Sequence, residues 1–146
     1  MKIQAKRRGD FPHFEGIDTR WMDNDVYGHV NNVVYYSWFD TAVNRFLATN
    51  GALDILHGAV IGLVIETQCN YFSPVAFPDR ICVGVGVAKL GNSSVRYDVG
   101  IFQNDAEIAS AQGHFVHVYV DRETRKPTAL PVEMRNLLNS IQIHPK

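Results

Sequence analysis

The chain has 146 residues, of which 46% are hydrophobic and 20% charged, and its formal net charge is -1. That length favours one domain with a core of its own, and the near-zero charge excludes a global field for nucleic acid or an anionic membrane. Any anionic ligand must then be held by a local basic cluster. No run approaches the length of a membrane span, and the start, MKIQAKRRGDFPHF, lacks the apolar stretch of a signal peptide. The expectation is a single domain over residues 1–146 of a cytoplasmic protein, with residues 1–12 a flexible or poorly packed N-terminus. Cys69 and Cys82 fall in apolar, strand-like runs outside any metal-ligand spacing and read as reduced, buried thiols.

In chain order, residues 14–20 read as a first strand, and a polar loop follows from Asp23. Residues 33–50 read as a helix, because Tyr36, Phe39, Val43, Phe46 and Leu47 recur at spacings of three and four. Gly51 stops it, since glycine tolerates the left-handed conformation. The period then changes to two. Residues 59–73 form a long strand candidate, and Pro74 and Pro78 bracket a turn. Residues 80–90 alternate strictly, with Ile81, Val83, Val85 and Val87 on one face and Cys82, Gly84, Gly86 and Ala88 on the other. GNSS at 91–94 is a turn, 95–103 alternates again, NDAE is another turn, and 107–121 is the last strand. Pro131 opens a short helix through about Asn139.

Consecutive strands with hairpin-length turns imply an antiparallel sheet. One long helix on such a sheet is an α+β architecture. Glycine in a strand interior is a loss unless something presses closely on it, so the helix, carrying Trp38, Phe39 and Phe46, is expected on the bare face. The bulky face would then be exposed in a monomer and mark an interface, and a homodimer or homotetramer is expected.

The segment DNDVYGHVNN, residues 23–32, crowds two aspartates, a glycine, a histidine and two asparagines ahead of the helix. On local grounds the aspartates could be turn or N-cap residues. With YFSPVAFPDRICV, KLGNSSVRYDVGIF and VHVYVDRETRKPTALP following in order, the chain resembles the hotdog-fold acyl-CoA thioesterases of the 4-hydroxybenzoyl-CoA thioesterase type over about residues 16–139. The resemblance implies a long central helix wrapped by a curved antiparallel sheet of about five strands. It also implies dimers whose sheets join, with active sites at the dimer interface, and no cofactor beyond the coenzyme A of the substrate.

Thioester hydrolysis needs a nucleophile or an activated water, and hydrogen-bond donors aimed at the carbonyl oxygen. A carboxylate supplies the first and a helix start the second. By resemblance Asp25 matches the catalytic carboxylate, as nucleophile or general base, and the N–H near Asn32 polarises the carbonyl, while Asp23 is supporting. Gly28 allows a positive-φ turn or close approach of substrate. His29 is open between orienting Asp25, donating to substrate and satisfying loop carbonyls. Val30 and Tyr36 are candidate pocket residues, with core packing the alternative for aromatic residues on the helix stripe. Glu66 either lines the pocket or lies where its strand emerges. Lys89 with Gly91, Asn92 and Ser93 offers a cation beside turn N–H groups for the nucleotide, with Arg80, Arg122, Arg125 and Lys126 as other candidates. Asp23, Asp25 and His29 make too loose a set for zinc, and Ser93 and Ser94 lack a nucleophile-elbow context. The expected function is hydrolysis of a small to medium-chain or aromatic acyl-CoA. The alternatives are an acyl-carrier-protein thioesterase, a non-catalytic acyl-CoA-binding protein and a hotdog dehydratase.

Overall fold

The computed structural model describes residues 2–143. The elements are β1 (His13–Asp18), α1 (Asn32–Thr49), β2 (Val60–Tyr71), β3 (Arg80–Leu90), β4 (Ser94–Gln103), β5 (Ala111–Asp121) and α2 (Val132–Asn139), with single 3-10 turns at Arg8–Asp10 and Trp21–Asp23. The strands form one five-stranded sheet in the order β1-β3-β4-β5-β2, and every pairing is antiparallel. This is the α+β arrangement of a hotdog fold. The chain leaves one edge strand, passes through α1 and returns as the opposite edge.

The helix buries Tyr35, Trp38, Phe39, Ala42, Val43, Phe46 and Leu47. Its apolar stripe is wider than the one read from the sequence and is turned towards Tyr35 and Trp38, and Tyr36 is only half-buried. The expected choice of sheet face is reversed. The helix packs on the bulky face, where Ile81, Val83, Val85 and Val87 join Val95, Tyr97, Val99 and Ile101 in one core with α1. The reason is apolar area: branched side chains removed from water contribute far more than glycine hydrogens. The bulky face of β3 and β4, expected to mark an interface, is instead covered by α1 within the chain.

The bare face is filled by the chain ends. A Cβ on Gly84 would lie 2.6 Å from Cγ of Phe11, and one on Gly100 would lie 2.6 Å from its Cε2. The glycines thus make a slot for one ring, and Phe11 is 5% exposed in it. Phe102 meets Phe11 edge-on at 5.9 Å. Segment 6–11 is therefore packed, contrary to the expectation of a loose terminus. Lys6 donates its N–H to Gln112 Oε1 at 2.6 Å and accepts from Ala109 N–H at 2.9 Å, and Arg8 N–H donates to the Glu107 carbonyl at 2.9 Å. Residues 107–109 bond to this segment, so β5 starts at Ala111 rather than at 107.

Two bulges reset which face a residue occupies. One lies between Val64 and Glu66 on β2, the other between Val87 and Lys89 on β3. An extra residue shifts a strand's alternation by one. Lys89 is thereby moved off the face of Val87 and set opposite Arg96.

Under α1, Tyr97 and Tyr119 share a hydroxyl hydrogen bond of 2.7 Å, and His117 Nδ1 lies 3.2 Å from the Tyr119 hydroxyl. The buried Nε2 of His117 has no partner among the described residues. Burial pushes this imidazole down to about 4. The native state keeps His117 neutral, while the unfolded chain binds a proton below its ordinary value of about 6.5. The contribution to stability is therefore full above about pH 6.5 and falls as the pH drops towards 4, by about 3 kcal/mol over that window. Urea unfolding of wild type and His117→Phe across pH 4–7 checks this. The difference between their pH profiles should carry that slope, and parallel profiles would contradict it.

Candidate active site

The loop before α1 is built on Asp23. Its side chain is 1% exposed. Oδ2 accepts the Arg20 N–H at 2.7 Å, and Oδ1 accepts Arg20 Nε at 3.0 Å and Nη2 at 2.8 Å. A buried carboxylate requires such partners. The Asp23 carbonyl accepts the Asn31 N–H at 2.9 Å, which draws together the two ends of loop 24–30.

Within that loop Asn24 bridges Val30 in antiparallel sense. Asp25 N–H donates to the His29 carbonyl at 2.9 Å, and Gly28 N–H donates to the Asp25 carbonyl at 3.0 Å. Gly28 has φ +84, in the left-handed region where a side chain would be strained. The half-buried Asp25 accepts Tyr27 N–H on Oδ1 at 2.9 Å. Its Oδ2 meets no donor among the described residues. Asn31 caps α1, its Oδ1 accepting Val33 N–H at 3.0 Å. Among the described residues the Asn32 N–H meets no acceptor, so it is the free donor of the first turn. The Asn32 carbonyl accepts the Tyr71 hydroxyl at 3.0 Å.

Two hollows flank this loop. A cleft of about 290 Å³ is lined by His29, Val30, Asn32, Tyr35, Tyr71 and Phe72, closed by Ser73 and Pro74. A groove of about 640 Å³ holds Asp25 and Gly28 among Trp21, Met22, Val26, Tyr27 and Asn31. Within one chain, then, His29, Val30 and Asn32 meet in one hollow, and Asp25 and Gly28 in the other. Val30 is also core, 6% exposed, with its N–H on the Val75 carbonyl at 2.9 Å. Tyr71, which was not singled out from sequence, faces Tyr35, which was read as core. Their rings meet edge-on at 4.9 Å. Burial pushes the Tyr35 phenol up to about 12 and the nearby Cys69 thiol up to about 11. Burial, then Cys69 and Tyr36, push Tyr71 higher still. All stay neutral near pH 7, so Tyr71 and Tyr35 act as hydrogen-bonding groups and not as bases. An aromatic residue closing β2 beside Pro74 was the one sequence hint of this wall.

The other candidates lie elsewhere. Tyr36 sits on α1 edge-on to Phe39 at 5.9 Å. Glu66 is exposed and pairs with His114 Nε2 at 2.7 Å, outside both hollows. Lys89, Gly91, Asn92 and Ser93 sit at the far end of β3. Its 11 residues, at about 3.3 Å each, make a path of roughly 30 Å along the strand from the end nearest the Asp25 loop, where Phe77 N–H bonds Asn24 Oδ1. Both cysteines are free and only partly buried. Among the described residues no group of three or more His, Cys, Asp or Glu could hold a metal ion, and no helix is long and apolar enough to cross a membrane.

This fold, with a carboxylate loop leading into a helix start, has known relatives. The thioesterase-like superfamily profile matches residues 19–138, and the chain belongs to that superfamily, whose characteristic chemistry is thioester hydrolysis. The crystal structure of the PA5185 protein from Pseudomonas aeruginosa is similar at 51% identity, covering 97% of this chain and 99% of that one, with a TM-score of 0.95. The fold is also shared with Slr0204, a 1,4-dihydroxy-2-naphthoyl-CoA thioesterase from Synechocystis, at 18% identity over 90% of this chain and 98% of that one, TM-score 0.79. The DHNA-CoA thioesterase from Staphylococcus aureus shares it at 22% identity over 87% and 86%, TM-score 0.75.

The two aspartates should separate in a stability measurement. Asp23→Asn should lower the unfolding free energy by about 1–3 kcal/mol, because a charged acceptor of three N–H groups is weakened in a buried place. Asp25→Asn should change it by less than about 0.5 kcal/mol, as expected away from buried networks. Equal losses in denaturant titrations would contradict the division of roles.

Proposed function

We propose that the protein is an acyl-CoA thioesterase in which Asp25 delivers the attack and the Asn32 N–H receives the developing oxyanion. One observation carries this reading. The Asp25 loop holds a carboxylate with a free oxygen, and the same loop ends at a helix whose first free N–H is uncapped. Asp25 either attacks the carbonyl carbon itself or removes a proton from the attacking water. Negative charge on the carbonyl oxygen is met by the Asn32 N–H and the positive end of α1. The C–S bond then breaks, CoA leaves as the thiol, and water supplies the oxygen of the free acid. His29, on the wall of the Asn32 cleft, orients the substrate. No cofactor beyond the CoA of the substrate is called for.

The acyl group is small to medium-chain or aromatic. The cleft beside Asn32 holds about 290 Å³ between Val30, Tyr35, Tyr71 and Phe72, at the small end of ligand pockets. Lys89 and the 91–93 turn take the nucleotide.

These parts do not converge within one chain, and a second copy completes the site. β2 is a free edge on which Leu63, Val64 and Ile65 are 38%, 48% and 62% exposed. An exposed apolar edge strand is a template for pairing. Tyr71, at one end of β2, bonds to Asn32. At the other end Val60 pairs with Asp121, and Tyr119, two residues from Asp121, bonds the Ser93 carbonyl. Antiparallel pairing of two β2 edges therefore carries the Lys89 turn of one copy towards the helix start of the other. The unit is a homodimer, alone or within a tetramer.

A panel of acyl-CoA esters with thiol detection tests the chemistry. Asp25→Asn should lower kcat/KM by about 10²–10⁴-fold, the usual range for a lost acid–base group, with an unchanged melting temperature. Near-wild-type turnover in the folded variant would remove the assignment. Sedimentation of Ile65→Glu tests the assembly: it should become monomeric and lose activity together, whereas an active monomer would exclude the shared site.

A further inference from the structure

The β3–β4 turn is held from behind by its carbonyl oxygens. Arg135 on α2 donates Nη2 to the Gly91 carbonyl at 2.8 Å and to the Asn92 carbonyl at 3.2 Å. Leu130 N–H also donates to the Asn92 carbonyl, at 3.0 Å, and Tyr119 N–H donates to the Ser93 carbonyl at 2.7 Å. In a trans peptide the C=O and the following N–H point in opposite directions. With the Gly91 and Asn92 carbonyls turned towards Arg135, the N–H groups of Asn92 and Ser93 are turned away from it. Neither has an acceptor among the described residues. Successive outward N–H groups in a turn are an anion-binding arrangement.

The charges beside the turn point the same way. Lys89 is exposed, has no partner among the described residues, and is set opposite Arg96 by the β3 bulge. Like charges directly opposed across strands cost stability. Arg96 is partly engaged, with Nη2 3.2 Å from His114 Nδ1 and Nε 3.9 Å from Asp98 Oδ1, while Lys89 is not. An anion between the turn and Lys89 would relieve the opposition.

We infer that Arg135 is a positioning residue for the nucleotide phosphates of the substrate: by claiming the Gly91 and Asn92 carbonyls it aims the turn's N–H groups at them. The inference rests on the acyl-CoA reading of the Lys89 turn. Arg135 acts through the backbone, without touching the phosphates, and it lies on an element that sequence reading left without a role. Both bonds leave one nitrogen, Nη2, whose N–H directions are fixed by the guanidinium plane, whereas a lysine ammonium rotates on a flexible stem.

The test has a binding arm and a kinetic arm. Calorimetry with coenzyme A should show Arg135→Ala binding about tenfold more weakly than wild type, the scale of one charge-assisted hydrogen bond, with Arg135→Lys in between. In kinetics, R135A should raise KM for an acyl-CoA by a similar factor while kcat holds. The same acyl group on N-acetylcysteamine, which lacks the nucleotide, should be cleaved with unaltered kcat/KM. Wild-type affinity for coenzyme A in R135A overturns the inference, as does an equal loss on both substrates or a wild type that binds no coenzyme A. A wild type that binds coenzyme A in an Arg135-dependent way yet cleaves no thioester would sink the hydrolytic reading and sustain this one.

Discussion

The end of the molecule that carries the Asp25 loop depends on one buried charge. Asp23 has its carboxylate out of water, and only the three N–H groups of Arg20 make that tolerable. Through its own carbonyl the same residue closes the loop that carries Asp25 and delivers Asn31 to its capping position. The loop with the free carboxylate oxygen and the free helix N–H is therefore held by a neighbouring residue whose own carboxylate is fully engaged by Arg20. Tyr71 secures the other side by bonding the Asn32 carbonyl from the end of β2. The start of α1 is clamped from two elements far apart in sequence.

The sheet treats its edges differently. At β1, Arg45 of α1 donates to the Gly16 carbonyl at 2.7 Å and lies 3.7 Å from Glu15. Charge laid over an edge blocks pairing. At β2, among the described residues, nothing comparable covers Leu63, Val64 and Ile65. One edge is closed by the chain itself and the other is left apolar and open. Function on the proposed reading depends on that asymmetry, because the nucleotide turn and the carboxylate loop lie at opposite ends of the strands.

Much of this was legible in the sequence. The two periods, 3.6 over α1 and 2 over β3, located the elements to within a few residues, since burial on one side imposes them. The closely spaced polar residues 23–32 marked the loop, and the resemblance alone gave Asp25 and Asp23 different expected roles. The face of the sheet that meets the helix was misread. Alternation tells which residues share a face but not which partner covers it, and Phe11 lay in a stretch that looked like a loose terminus. Glu66 was left open between pocket and strand end, because a bulge leaves no trace in composition yet moves every later residue to the other face.

What the sequence by itself determined was local: where the chain is helical or extended, which residues must leave water, and which loop concentrates hydrogen-bonding groups. These follow from short-range sterics and periodic burial. Only the tertiary structure decided that Phe11 fills the glycine slot, that Asp25 and Asn32 face separate hollows, and that Arg135 reaches the Gly91 turn from 44 residues away. Such contacts join segments whose separation along the chain carries no information about their separation in space. They arise when the sheet closes and its two faces must each find a cover.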